Sequence, residues 1–134
     1  MEFRKKDFYT MDDMLQVMEM LRDPVTGCEW DSIQTHESIR QNFIEETYEA
    51  VDAIDKKDTE LLQEELGDVL FSVVNLSLFY KVDSELALLA CCKKFRQRFE
   101  YVEGQVNAQG GDWSSFSLDQ LDAYWNEAKN TITD

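Results

Sequence analysis

The sequence predicts an all-α protein: an antiparallel helical bundle with a four-helix core, an extra terminal helix, and a second copy as partner. Three observations lead there. The chain has one Pro and five Gly in 134 residues, too few for a turn-rich β fold. Its apolar residues recur at helical spacing, and no strand alternation or solenoid repeat interrupts them. The links between the long periodic segments are short, which makes sequential helices antiparallel neighbours.

The elements follow in order. Thr10 in "TMDD" caps a first helix over Met11–Leu21, with acids in its first turn. Pro24 and Gly27 make "RDPVTGCEWDSIQ" a loop. Thr35 caps a second helix over His36–Asp55. "DKKD" turns the chain, and Asp58 or Thr59 caps a third over Glu60–Tyr80. Asp83 caps a fourth over Ser84–Val106. "NAQGGDWSSF" is a loop, and "SLDQ" forms a capping box for a last helix ending near Lys129. All 134 residues are read as one domain with enough apolar content, 43%, for a real core.

Composition narrows function. The net charge of −15 and the lack of a basic cluster larger than "CCKKFRQR" argue against nucleic acid and against an anionic membrane surface. No apolar run approaches the roughly 18 residues a membrane helix needs. The charged start "MEFRKKDFYT" has no apolar signal region, so a cytoplasmic location is expected. Cys28, Cys91 and Cys92 fit neither a disulfide framework nor a zinc spacing, and read as free thiols.

The carboxylates carry the chemistry. Ten acids lie between Glu45 and Asp68, against Lys56 and Lys57 alone. On a wheel of about 100° per residue, the apolar residues of the third helix spread round nearly the whole circumference, so that helix is expected to be largely buried. Leu66, Val69, Leu70, Phe71, Val73 and Val74 read as core. Its polar residues Glu64, Glu65, Asp68, Ser72 and Asn75 share one sector, and Glu65 and Asp68 stand one above the other at i, i+3. On the second helix, Ile44, Tyr48, Val51 and Ile54 form the apolar face, and Glu46 and Glu49 repeat the i, i+3 spacing. Tyr48 and Phe79 are read as core. An antiparallel pairing lets Glu46, Glu49, Glu65 and Asp68 converge.

Four such carboxylates repel one another unless a cation joins them. Oxygen ligands suit Mg²⁺, Mn²⁺ or Ca²⁺, and His36 is the single histidine, so Mg²⁺ is the first choice with Mn²⁺ as a substitute. Mg²⁺ keeps water positions and meets substrate phosphates, which points to phosphate chemistry.

At this point "GCEWDSIQTHESI", "FIEETYEAVDAI" and "LLQEELGDVLFSVV" resemble the MazG family of nucleoside triphosphate pyrophosphohydrolases. The family signature E-E-x-x-E, spacer, E-x-x-D is present as Glu45, Glu46 and Glu49, then fifteen residues, then Glu65 and Asp68. The resemblance runs from about Met14 to Lys129. It implies an all-α, homodimeric, Mg²⁺-dependent enzyme that cleaves a nucleoside triphosphate between the α and β phosphates. It implies Glu46, Glu49, Glu65 and Asp68 as metal ligands, with Glu45 orienting or deprotonating the attacking water. It also implies Lys94 and Arg98 as catalytic and phosphate-binding, matched in "KKFRQRF", and Trp125 and Lys129 as substrate contacts, matched in "YWNEAK". Trp30 is a candidate for stacking on the base or lining its pocket, while Trp113 and His36 read as loop packing and helix start. Glu29 stands where many relatives have proline. Many members carry two such domains in tandem, against one copy here.

Two other readings stay open. One is a relative specific for a pyrimidine deoxynucleotide such as dUTP or dCTP. The other is a non-catalytic acidic helical module that binds cations or a basic partner protein.

Overall fold

In the computed structural model, residues 5–132 are described; the first four residues of the charged N-terminal stretch and residues 133–134 lie outside them. The described residues form six α-helices and one 3-10 turn, with no strand. They are α1 (Met11–Leu21), α2 (Glu29–Ser32), α3 (His36–Lys56), α4 (Thr59–Phe79), α5 (Ser84–Ala108) and α6 (Leu118–Thr131), with the 3-10 turn at Trp113–Ser115. No described helix is long and apolar enough to cross a membrane.

The chain divides into two compact units, residues 1–84 and residues 85–134. In the first, α1 starts at a capping box. The Thr10 hydroxyl accepts from the Asp13 N–H at 3.2 Å, and the Asp13 carboxylate accepts from the Thr10 N–H at 2.9 Å. The chain then reverses through Gly27, whose N–H bonds the Asp23 carbonyl at 2.9 Å. A β-carbon at Gly27 would stand 2.4 Å from the carbonyl oxygens of Asp23 and Leu21, so this return admits only glycine. The loop expected over this segment also holds α2, a helix not foreseen. One turn of four residues is too short for a periodic signal, and Pro24 and Gly27 mask it.

Thr35 caps α3 through a box closed by Ser38. Lys57 then takes a left-handed conformation (φ 56°), and Asp58 caps α4 by accepting from the Leu61 N–H at 3.0 Å. This two-residue link folds α4 back along α3, and α1 packs on α4 as well. Met18, Ile39, Ala50, Ala53 and Val74 form the buried apolar centre.

Burial departs from the expectation for these helices. Within the chain, α4 is not a buried rod: Leu70 is 61% and Leu66 49% exposed, Phe71 and Val73 are exposed too, and only Ser72 and Val74 are buried. Tyr48, read as core, is 74% exposed, and Ile44, Val51 and Ile54 are exposed beside it on α3. The wheel counts apolar residues, but it does not say whether the covering surface comes from the same chain.

In the second unit, α5 and α6 are joined through aromatic contacts. The Phe95 and Trp125 rings lie 5.5 Å apart, and the Tyr101 hydroxyl donates to Glu127 at 3.1 Å. Trp113 stacks on Phe99 at 5.7 Å, the loop packing expected of it. Gly110 and Gly111, at φ 106° and 79°, take the left-handed turn that ends α5.

Candidate active site

The α3–α4 hairpin brings acids from both helices together. Glu46, Glu49 and Glu65 each offer a carboxylate oxygen within 4.8 Å of the others. Glu46 and Glu65 are half-buried, and Glu49 is exposed. The spacing does the work. Glu46 and Glu49 share one face of α3, and the tight link at Lys57 and Asp58 sets the first half of α4 beside the second half of α3.

The crowding has an electrostatic consequence. Burial pushes the Glu46 carboxyl up from its ordinary value, and the charges of Asp68, Glu49, Glu65 and Glu45 push it further. Burial likewise raises Glu65, helped by Glu49, Asp68, Glu64 and Asp52. Among the described residues, neither Lys nor Arg forms an ion pair with the three glutamates; the ion pairs are Lys6–Asp13, Lys56–Asp52 and Arg96–Glu100. Asp68 stands outside the three-oxygen group but close enough to raise both Glu46 and Glu65. Glu45 accepts from the Gln41 side-chain amide at 3.0 Å and faces Glu46 electrostatically.

This donor set fits a hard divalent cation. Glu46, Glu49 and Glu65, each with a carboxylate oxygen within 4.8 Å of the others, could together hold such a cation. All the donors are carboxylate oxygens, which suit Mg²⁺ and Mn²⁺ better than zinc.

The remaining candidates fall elsewhere. Trp30 lies on α2 and is 70% exposed. Lys94 and Arg98 stand one turn apart on α5 in the second unit, both half-buried, and the Arg98 Nε is buried without a hydrogen-bond partner. Trp125 packs on Phe95, and Lys129 is in the last turn of α6. His36, at the start of α3, bonds the Tyr80 hydroxyl through Nδ1. Glu64 is exposed and adds its charge to Glu65.

One group carries little signal in the sequence. Arg22, which caps the C-terminus of α1, donates from Nη2 to the Asn75 side-chain carbonyl and lies over the Phe79 ring at 5.4 Å. Its place just before Pro24 marks a helix end and nothing more. The polar sector of the third helix did include Asn75.

Comparison with known proteins decides the family. The MazG nucleotide pyrophosphohydrolase domain matches residues 34–103, half of the chain, including Glu45 to Asp68, Lys94 and Arg98. The chain belongs to the MazG family. Among MazG relatives, the nucleoside triphosphate pyrophosphohydrolase/pyrophosphatase MazG of Thermotoga maritima is 52% identical over 63 residues, 47% of this chain and 24% of that protein. The nucleoside triphosphate pyrophosphohydrolase of Escherichia coli K12 is 34% identical over 119 residues, 89% of this chain and 44% of its own length. The uncharacterized protein YabN of Bacillus subtilis is 44% identical over 70 residues, 52% of this chain and 14% of that protein. The chain thus spans less than half the length of each of these relatives.

Proposed function

We propose that this MazG domain hydrolyses nucleoside or deoxynucleoside triphosphates between the α and β phosphates, releasing the monophosphate and pyrophosphate, and so serves in nucleotide-pool cleaning. The observation that carries the reading is the convergence of Glu46, Glu49 and Glu65 across the α3–α4 hairpin, with no ion pair from a described Lys or Arg to any of the three. The names of the T. maritima and E. coli relatives support the same activity.

Glu46, Glu49 and Glu65, with Asp68 beside them, would hold Mg²⁺, or Mn²⁺ in its place. When bound, the cation polarises the phosphoryl group and acidifies water. Glu45, next to this set, is placed in the role of orienting the attacking water and taking its proton. Lys94 and Arg98, at i, i+4, meet phosphate oxygens, Arg98 in a bidentate fork. Lys129 adds a positive charge, and Trp30 and Trp125 offer ring faces to the nucleoside.

The whole chain acts as one domain in this proposal, a four-helix core with the terminal helix α6, in the cytoplasm where its substrates are. Two copies associate through the exposed apolar faces of α3 and α4, because a face carrying Ile44, Tyr48, Val51, Ile54, Leu66 and Leu70 is more apolar surface than a lone chain of this size leaves to water. Neither nucleic acid nor a membrane is a partner.

The test is a panel of the common ribo- and deoxyribonucleoside triphosphates with Mg²⁺ and product identification. Pyrophosphate release from at least one is expected, and Glu49→Gln or Asp68→Asn should abolish it while the helical circular dichroism spectrum persists. No turnover anywhere in the panel would refute the enzyme reading.

A further inference from the structure

The acid stripe of α4 does not end at Asp68. Glu65, Asp68, Ser72, Asn75 and Phe79 follow one another at spacings of 3, 4, 3 and 4, the line of a single helix face. Along that line, Asn75 lies seven residues beyond Asp68. That is about 10 Å of helical rise, comparable with the reach of a nucleoside monophosphate from phosphate to base. At that distance α1 closes on α4, and Arg22 bonds Asn75 and covers Phe79.

A cavity of about 550 Å³ opens on the other side of Arg22, toward the end of α4, within the first unit. Leu15, Pro24, Leu78 and Val82 give it apolar walls. Arg22 is one of its lining residues, and two of its guanidinium nitrogens, Nε and Nη1, are buried without a hydrogen-bond partner. The Ser84 hydroxyl, also lining it, is buried and unpartnered too. Buried donors left open in this way are uncommon in folded proteins, and such groups call for a ligand or ordered water. The charge around the cavity argues against an anion: Glu19, Asp23 and Asp83 outnumber Arg22 and Lys81. A neutral, planar heterocycle with ring-nitrogen and carbonyl acceptors suits these walls and donors.

We propose that the Arg22–Asn75 pair, with Arg22 set over Phe79 at the edge of the α1–α4 cavity, reads the base of the nucleotide and determines which nucleotides are accepted. The inference rests on the nucleotide reading of the acidic site and adds a specificity-determining pair to it. A base seated in the cavity, after a rotation of the Arg22 side chain, gives its open N–H groups an acceptor. Bases that present a donor there leave those groups unpaired, which is how a site built on hydrogen bonds discriminates.

Two measurements test this. The first needs no catalysis: millimolar nucleoside monophosphates, which have no α–β bond to cleave, are titrated into the protein with Mg²⁺, and the Arg22 Nε–H and Asn75 side-chain amide resonances are followed by NMR. Base-dependent shifts at both are expected. Unmoved Arg22 and Asn75 signals across the panel would overturn the inference, whether or not pyrophosphate is released by the holoenzyme. The second is kinetic, with Arg22→Met, Arg22→Lys and Asn75→Ala. For the preferred nucleotide, kcat/KM should fall about 10- to 100-fold in Arg22→Met, mainly through KM, and the spread between best and worst base should narrow. Arg22→Lys should restore part of the affinity but not the base preference. An equal loss on every base, with the ranking intact, would mean that Arg22 only holds α1 against α4, and would reject its role in specificity.

Discussion

At Glu46, burial and four neighbouring carboxylates disfavour the ionised form in the folded state. Removing that charge should therefore help the fold when no cation is present. A like-charge pair one helical turn apart costs about 0.2–0.5 kcal/mol, so Glu46→Gln should melt about 1–3 °C higher than wild type in EDTA. Mg²⁺ should raise the melting temperature of wild type and leave that of Glu46→Gln nearly unchanged; differential scanning fluorimetry in both buffers checks the crossover. Asp13 shows the opposite sign. The Lys6 ammonium, the Thr10 backbone N–H and the Thr10 hydroxyl hold its carboxyl at about 2, below the ordinary 3.8. The stability this adds is present above pH 3.8 and is lost as pH falls through about 2. Wild type should thus out-melt Asp13→Asn at pH 5, and the gap should close near pH 2. Among single residues, the acidic signature and its spacing were readable in advance, since ligand types and i, i+3 faces are properties of the string. Arg22 was not. Its meaning depends on Asn75 and Phe79, which lie more than fifty positions away in the sequence, and no local pattern joins them.

Elements were read well where local chemistry decides them. Thr10, Thr35, Asp58 and Ser117 cap the helices expected of them, because a cap is a bond between near neighbours in sequence. The short helix α2 escaped, as one turn must. The two tight reversals invite substitutions of opposite effect. Lys57 holds a left-handed conformation that a β-carbon disfavours, so Lys57→Gly should stabilise the α3–α4 hairpin by about 0.5–1 kcal/mol in urea unfolding. Gly27→Ala should destabilise the return after α1, because its β-carbon would meet two backbone carbonyls that cannot turn aside as a flexible side chain could. Loss of Cys28 N–H bonding to the Leu21 carbonyl would show as faster amide exchange there.

At the scale of the molecule, what the sequence could not say is who covers the apolar surface. The wheel marked Leu66, Leu70 and Phe71 as core, and the single chain leaves them open. An apolar residue carries no label for whether its neighbour is intramolecular. A second copy laid on α3 and α4 would reconcile the two. Leu70→Asp should then shift sedimentation from dimer to monomer at micromolar concentration, while a monomeric wild type would count against that assembly.

The proposed activity is defined by the bond it breaks. The most direct measurement is ³¹P NMR of a nucleoside triphosphate incubated with the protein and Mg²⁺, with an EDTA control. Signals of pyrophosphate and the nucleoside monophosphate should grow together in equal amounts, and only with the cation present. Growth of orthophosphate and the diphosphate instead, or an unchanged triphosphate spectrum for every base, would contradict it.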